Sequence, residues 1–248
     1  VQLVCTASGV AGTADTVVIS VTADNDAPTV ASNIADASTA EDAAYSLNIA
    51  SNFADVDDSM TFAITGAPST ITATSAGVIS GTPVNANVGT HSIVVTATDA
   101  GGSNTVSDTY VLTITNVNDA PTVASAIADV SAAEDAAYSL DASGTCTDVD
   151  AGDSLDYTIS GAPSTITATT AGVISGTPVN ANVGTHTITV TCTDGSSATA
   201  TDQYVLTVTN VNDAPTVANA ISDVSAAEDA AYSLSVANVC TDVDASDS

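Results

Sequence analysis

Whatever chemistry this chain performs must come from carboxylates, because its 29 Asp and Glu residues face not one Lys or Arg. The acids are patterned. Asp-Val-Asp triplets place Asp55 with Asp57, Asp148 with Asp150 and Asp242 with Asp244, and Asn-Asp pairs begin at Asn25, Asn118 and Asn212. Like charges a few Å apart repel by roughly 1 kcal/mol even in water. Clustered acids without basic partners therefore point to a bound cation, and the plainer reading is acidity for solubility. The other reactive side chains are few. His91 and His186 occupy equivalent positions with no second His nearby, which suits strand-surface residues better than metal ligands. Cys5, Cys146, Cys192 and Cys240 form no CxxC and no Cys/His cluster, so zinc is not indicated. No nucleophile–His–acid pattern and no glycine-rich phosphate loop stands out, and paired acids alone recurring along a chain would be an unusual catalytic device. No enzymatic activity is expected. Without Lys or Arg the chain lacks the means to neutralise nucleic-acid phosphates and is ill suited to anionic membrane surfaces. It has no run of eighteen apolar residues to span a bilayer.

The elements that must position these acids repeat. The string NDAPTVA recurs at Asn25, Asn118 and Asn212, with periods of 93 and 94 residues. Gly66–His91 recurs as Gly161–His186 with one change, Ser75 against Thr170. Two complete modules, 25–117 and 118–211, follow from this period. Residues 1–24 read as the C-terminal part of a preceding module and 212–248 as the N-terminal part of a following one. The fragments together are too short to complete one another, so a longer array is expected. Within a module, HTITVTCTD, QYVLTVTN and LDYTISG alternate Thr with Val, Ile, Leu or Tyr, the period of a half-buried strand. Gly, Pro, Asn and Asp fill the intervals as turns require. About seven short strands per module predicts an all-β Greek-key sandwich. Tyr45, Tyr110, Tyr138, Tyr204 and Tyr232 are expected in the core. SAAEDAAYSL could form a single helical turn from Ser131 to Glu134, but Tyr138 and Leu140 then alternate as in a strand.

The order EDAAYSL, DVDAGDSLDYTISG, GTPVNANVGTHTITVTCTD and YVLTVTNVNDAPT resembles the cadherin-like and dystroglycan-type repeats, the putative Ig modules found in tandem in large bacterial adhesins. The resemblance covers the whole chain and is most specific at VNDAPT and at the DVD loop. It implies Ig/cadherin-like sandwiches arranged end to end, with Ca2+ at their junctions. Carrying over that topology groups the acids into three sets. The first holds Asp24, Asn25, Asp26, Asp55, Asp57 and Asp99. The second holds Glu41, Asp42, Asn116, Asn118, Asp119, Asp148, Asp150 and Asp194. The third holds Glu134, Asp135, Asn210, Asn212, Asp213, Asp242 and Asp244. Carboxylates mixed with amide carbonyls suit the six to eight oxygens Ca2+ takes; the alternative is that DVD and VND are only turn residues. The sequence departs from the cadherin pattern in one respect. The LDRE-type motif that would supply further ligands is missing, and GTPVNANVG stands in its place, so one or two ions per junction are expected.

Aligned with itself, the chain matches Cys146 to Phe53 and Cys192 to Ala97, so one module has both cysteines and the other neither. Each cysteine precedes a pole acid by two residues. A Cys146–Cys192 disulfide is expected, closing a loop of about 45 residues, with two buried thiols as the alternative. Cys5 and Cys240 should pair outside this stretch. A disulfide implies an oxidising compartment, in keeping with an extracellular, cell-surface protein. The expected function is a Ca-stiffened stalk of an adhesin, whose partners are the neighbouring modules of the same chain. A self-assembling filament of many copies and an accessory module of a secreted carbohydrate-active enzyme are the alternatives.

Overall fold

A computed structural model describes residues 18–21, 24–101 and 104–244, with the backbone alone at 2–3, 6–7, 10–11 and 15–16. Cys5 and the remainder of the segment 1–23 lie outside the described residues. In that N-terminal segment β1 (Gln2–Leu3) pairs with β4 (Asp15–Thr16), and β2 (Thr6–Ala7) with β3 (Val10–Ala11). The chain divides into two compact units, 1–117 and 118–248.

The first unit holds β5 (Thr29–Val30), β6 (Ala37–Ala40), β7 (Tyr45–Asn48), β8 (Phe53–Ala54), β9 (Met60–Thr65), β10 (Ile71–Ala73), β11 (Val78–Gly81), β12 (Gly89–Asp99) and β13 (Thr105–Thr115). One sheet runs β6-β13-β12-β9, the other β10-β11-β7, and β5 pairs with β8. The β6–β13 pairing is parallel and the others are antiparallel. Alternation in the residues produces the sandwich. Along β12, Ile93, Val95 and Ala97 are buried while the residues between them are only half-covered, so every second side chain reaches the core. Ile49, Ile79, Leu112 and Ile114 belong to the same core, and each contributes roughly 1.5–3 kcal/mol by leaving water.

The second unit repeats the plan with β14 (Thr122–Val123), β15 (Val130–Ala133), β16 (Tyr138–Asp141), β17 (Cys146–Thr147), β18 (Asp156–Ser160), β19 (Ile166–Ala168), β20 (Val173–Gly176), β21 (Gly184–Thr193) and β22 (Thr199–Thr209). Its sheets run β15-β22-β21-β18 and β16-β20-β19. β23 (Thr216–Val217) and β24 (Cys240–Thr241) then form an antiparallel pair. The SAAEDAAYSL segment makes no helix: it is β15, a tight turn at Glu134–Ala137, then β16.

Tyr110 and Tyr204 are fully buried, and their hydroxyls meet those of Tyr45 and Tyr138 at 3.4 and 3.2 Å. Burial pushes the phenol groups of Tyr110, Tyr138 and Tyr204 up. Tyr232 departs from expectation: it is 53% exposed. Among the described residues, no strand pairs with 231–234 as β20 pairs with β16.

The disulfide is present. Cys146 on β17 and Cys192 on β21 are bonded, with Cα atoms 6.5 Å apart, and both are buried. Cys240 is exposed and has no disulfide partner among the described residues. His91 and His186 are half-buried on β12 and β21, where Nε2 donates to the Asn87 and Asn182 carbonyls at 2.8 and 2.7 Å.

Carboxylates that lack basic partners find backbone amides instead. Asp36 and Asp108 accept N–H bonds from Val111 and Ile34 at 2.8 and 2.6 Å. Their counterparts Asp129 and Asp202 accept from Val205 and Ile127 at the same distances. These four acids fasten each module's N-terminal segment to its last strand; they serve the fold.

Candidate metal centre

Three strand ends and one linker meet at the upper pole of module 118–211. β17 and β18 are joined by the loop carrying Asp148, Asp150 and Asp153, and β21 ends at Thr193, immediately before Asp194. The VNDAP linker enters alongside because β14 pairs with β17. Asn118 Nδ2 donates to Asp194 Oδ2 at 2.9 Å, and the Asp119 N–H donates to Asp150 Oδ2 at 2.8 Å. Asp194 Oδ1 accepts from the Ser196 and Ala198 amides at 2.9 and 2.8 Å. The bond from Asn118, joined by these amides, holds the Asp194 carboxyl below the usual carboxylate range.

Within the loop, Asp148 Oδ1 accepts the Asp150 N–H at 2.9 Å, while Asp148 Oδ2 is buried with no hydrogen-bond partner. Oxygen atoms of Asp148, Asp150 and Asp153 lie within 4.8 Å of one another. Desolvation, followed by the charges of Asp148, Asp150 and Asp194, pushes the Asp153 carboxyl up. Asp153 was not among the residues expected. Gly152 turns the chain with φ +97, a conformation that favours glycine, and Asp153 comes round to Asp148. A third acid three residues beyond Asp150, with a glycine between, was the signal available.

Module 25–117 carries the same arrangement. Asn25 Nδ2 donates to Asp99 Oδ2 at 2.7 Å, and the Asp26 N–H donates to Asp57 Oδ2 at 3.3 Å. Asp55 Oδ1 accepts from Asp57 and Asp58 at 3.1 and 3.0 Å, and its Oδ2 is buried without a partner. Those amides lower the Asp55 carboxyl, whereas desolvation and Asp55 raise that of Asp57. Asp24 is exposed and no hydrogen bond ties it to these acids among the described residues.

The lower poles present a glutamate and an aspartate in a tight turn. Asp42 and Asp135 adopt φ +56 and +58 and donate their N–H groups to Pro83 and Pro178 at 2.8 Å. Glu41 and Glu134 are each 1% exposed. Glu41 Oε1 accepts the Val117 N–H at 3.0 Å and Glu134 Oε1 the Val211 N–H at 2.9 Å. The second oxygen of each, Oε2, is buried with no hydrogen-bond partner. Asn116 and Asn210 are exposed beside these linkers.

The second unit also contains the third expected group. Asp242 Oδ1 accepts the Asp244 N–H at 2.9 Å, and Asp244 Oδ2 accepts the Asp213 N–H at 2.7 Å. Asn212 Nδ2 donates to the Asp213 carbonyl at 2.8 Å. Desolvation and then the charges of Asp135, Asp244 and Asp242 raise the Asp213 carboxyl. Asp135 of the lower pole therefore lies close enough to Asp213 to repel it. Asn180, outside the expected set, also reaches Asp244 (3.0 Å).

A buried carboxylate oxygen without a donor is costly. In the second unit Glu134 Oε2 and Asp148 Oδ2 are both of this kind, beside acids whose mutual charge is unrelieved. The donors are all oxygen, the chemistry of a hard divalent cation, and the residues present fit one.

Two stretches of the chain, 27–115 and 120–209, match the family described as "Putative Ig domain". No curated protein matches the chain. Among solved structures, mouse cadherin-23 EC22-24 is similar at 18% identity over 75% of this chain and 65% of that one, with a TM-score of 0.54. Drosophila N-cadherin EC1-4 is 16% identical over 75% of this chain and 50% of its own, at 0.49. An endo-fucoidan hydrolase of glycoside hydrolase family 107 is 22% identical over 85% of this chain, at 0.37. The chain spans a third of that hydrolase and under two thirds of the cadherin-23 fragment. At these identities the likeness to cadherin-23 is one of fold.

Proposed function

The chain belongs to the Putative Ig domain family, and on that premise we propose that it is a non-catalytic spacer of an extracellular surface protein, its linkers stiffened by Ca2+. The single observation that carries this reading is Glu134. It is 1% exposed, has one oxygen on the Val211 amide of the linker, and has the other without a partner. The module's last strand and its linker bond to it, and Asp135 beside it lies near Asp213, in a chain with no basic side chain to neutralise them. Glu134, Asp135, Asp213, Asp242 and Asp244 would hold the ion there, and Asp148, Asp150, Asp153 and Asp194 at the upper pole. Bound Ca2+ would supply positive charge and multiple oxygen bonds that free the carboxylates from mutual repulsion. Ligands drawn from a module, its linker and the following loop couple ion binding to linker geometry, which is what a spacer needs and a lone domain does not. The disulfide supports an oxidising, extracellular setting, as an adhesin stalk has.

Small-angle scattering of the 248-residue chain with Ca2+ and with excess chelator tests this. The expected outcome is a longer maximum dimension and narrower distribution of distances with Ca2+. Superimposable curves in the two conditions would refute the ion-stiffened linker.

A further inference from the structure

The turn between β20 and β21 occupies the place where the cadherin pattern has acidic ligands, and in this chain it is neutral. Its shape is tightly determined. Asn182 Oδ1 accepts the Val179 N–H at 3.0 Å and the Thr165 hydroxyl at 2.9 Å, and the Asn182 carbonyl holds His186. The 3-10 turn Asn180–Asn182 is thereby fixed, with Asn180 at its start. Asn180 Nδ2 donates to Asp244 Oδ1 at 3.0 Å. Asp244, only 4% exposed, is the acid whose other oxygen takes the Asp213 N–H and whose own N–H is held by Asp242.

An acid at position 180 would repel Asp244 unless a cation lay between them. An amide needs no cation, because it brings its own hydrogens to the carboxylate, and a hydrogen bond to a charged group is stronger than one between neutral partners. We propose that Asn180 is a latch that joins a module to the acidic loop of the next one by direct hydrogen bonding, replacing an ion-mediated contact with an ion-independent one. The inference goes beyond the Ca2+ reading and does not depend on it. The same 3-10 turn recurs in the first module as Asn85–Asn87. The latch also gives the missing acidic motif a physical sense: fewer charges meet at the junction, and part of the coupling persists when divalent ions are scarce.

The test is hydrogen exchange by NMR on the full chain in excess chelator. The Asn180 side-chain amide protons should be protected in the wild type and revert to the free rate in Asp244→Ala, a change made outside the turn. In Asn180→Ala the Asp213 amide should exchange about tenfold faster, equivalent to ~1.4 kcal/mol. The Asn182 and Val183 amides, bonded to Val179 and Asn180 carbonyls at 2.7 and 3.1 Å, should keep their protection, showing the turn intact. Free-rate exchange of the Asn180 amide in the wild type overturns the latch, and so does protection that survives Asp244→Ala. Addition of Ca2+ in place of chelator reads out the ion hinge separately.

Discussion

Modules 25–117 and 118–211 share one backbone plan and nearly identical turns, yet they fill the space beneath the upper pole differently. In the second, Cys146 and Cys192 are bonded across from Tyr157, whose hydroxyl donates to the Ser143 carbonyl at 2.7 Å. In the first, Phe53 and Ala97 take the cysteine positions and Phe62 that of Tyr157. The Phe53 and Phe62 rings pack with centroids 5.5 Å apart and planes tilted by 56°. Phe53 is as buried as Cys146 and Ala97 as buried as Cys192. One cavity thus accepts a covalent tie with a small footprint or a ring that fills the volume. The fold does not require the disulfide; the module that has it lacks the aromatic that would replace it.

The largest effect that could break this equivalence is removal of the filler from each module. Phe53→Ala should destabilise the first module by about 3–5 kcal/mol, the range for deleting a buried ring. Cys146→Ala with Cys192→Ala should destabilise the second by about 2–4 kcal/mol. Calorimetry resolving two transitions should show each change lowering only its own module's midpoint. If the cysteine pair can be removed at no cost, the disulfide is an accessory and the comparison fails.

A smaller difference lies at the turn after β7 and β16. Asn52 Nδ2 donates to the Ser32 carbonyl and hydroxyl and to the Asn33 carbonyl, between 3.1 and 3.3 Å. The second module has Thr145 there, and a shallow hollow of about 320 Å³ lies beside it, lined by Ser125, Ile127, Leu140 and Gly144 among others. Asn52→Thr should therefore cost the first module about 1 kcal/mol, measured as a shift in its denaturation midpoint. An unchanged midpoint would mean that the amide closes nothing of energetic consequence.

The smallest effect separates the modules by pH. Asn48 and Asp141 are equivalent, accepting the Ala50 and Ser143 amides at 3.1 and 2.9 Å. Bonds from the Ser143 hydroxyl and amide hold the Asp141 carboxyl below its ordinary value. A depressed folded pKa contributes stability that is present above the unfolded value and is lost as pH falls through the folded one. The second module should lose this contribution on acidification below about pH 4, whereas the amide of Asn48 has nothing to titrate. Asp141→Asn should flatten that part of the second module's acid profile; an unaltered profile would place the acid sensitivity elsewhere.

Much of the architecture was legible in the residues because the signals are local or periodic. Thr alternating with Val or Ile through β21 and β22 dictates a two-sided strand. The repeat of NDAPTVA spaces equivalent units, and the joint gain or loss of Cys146 and Cys192 marks them as a pair. The Asp-Val-Asp and Asn-Asp motifs are short and sit at strand ends, so their meeting followed once the topology was known. Asp153 was overlooked because its placement depends on a left-handed glycine, and Asn180 because an asparagine in a turn resembles any other. Tyr232 was misplaced since its motif matches that of Tyr138, although burial depends on strands far along the chain.

The residues alone thus settled the strand period, the repeat and the absence of any basic counter-charge, all properties of one-dimensional order. Which acids accept a backbone amide, as Asp36 and Asp202 do, and which keep a buried oxygen unpartnered, as Glu134 does, was decided only in three dimensions. The reason is that a carboxylate's state depends on the donors within about 3 Å of it, and in a sandwich those donors come from segments some 75 residues away.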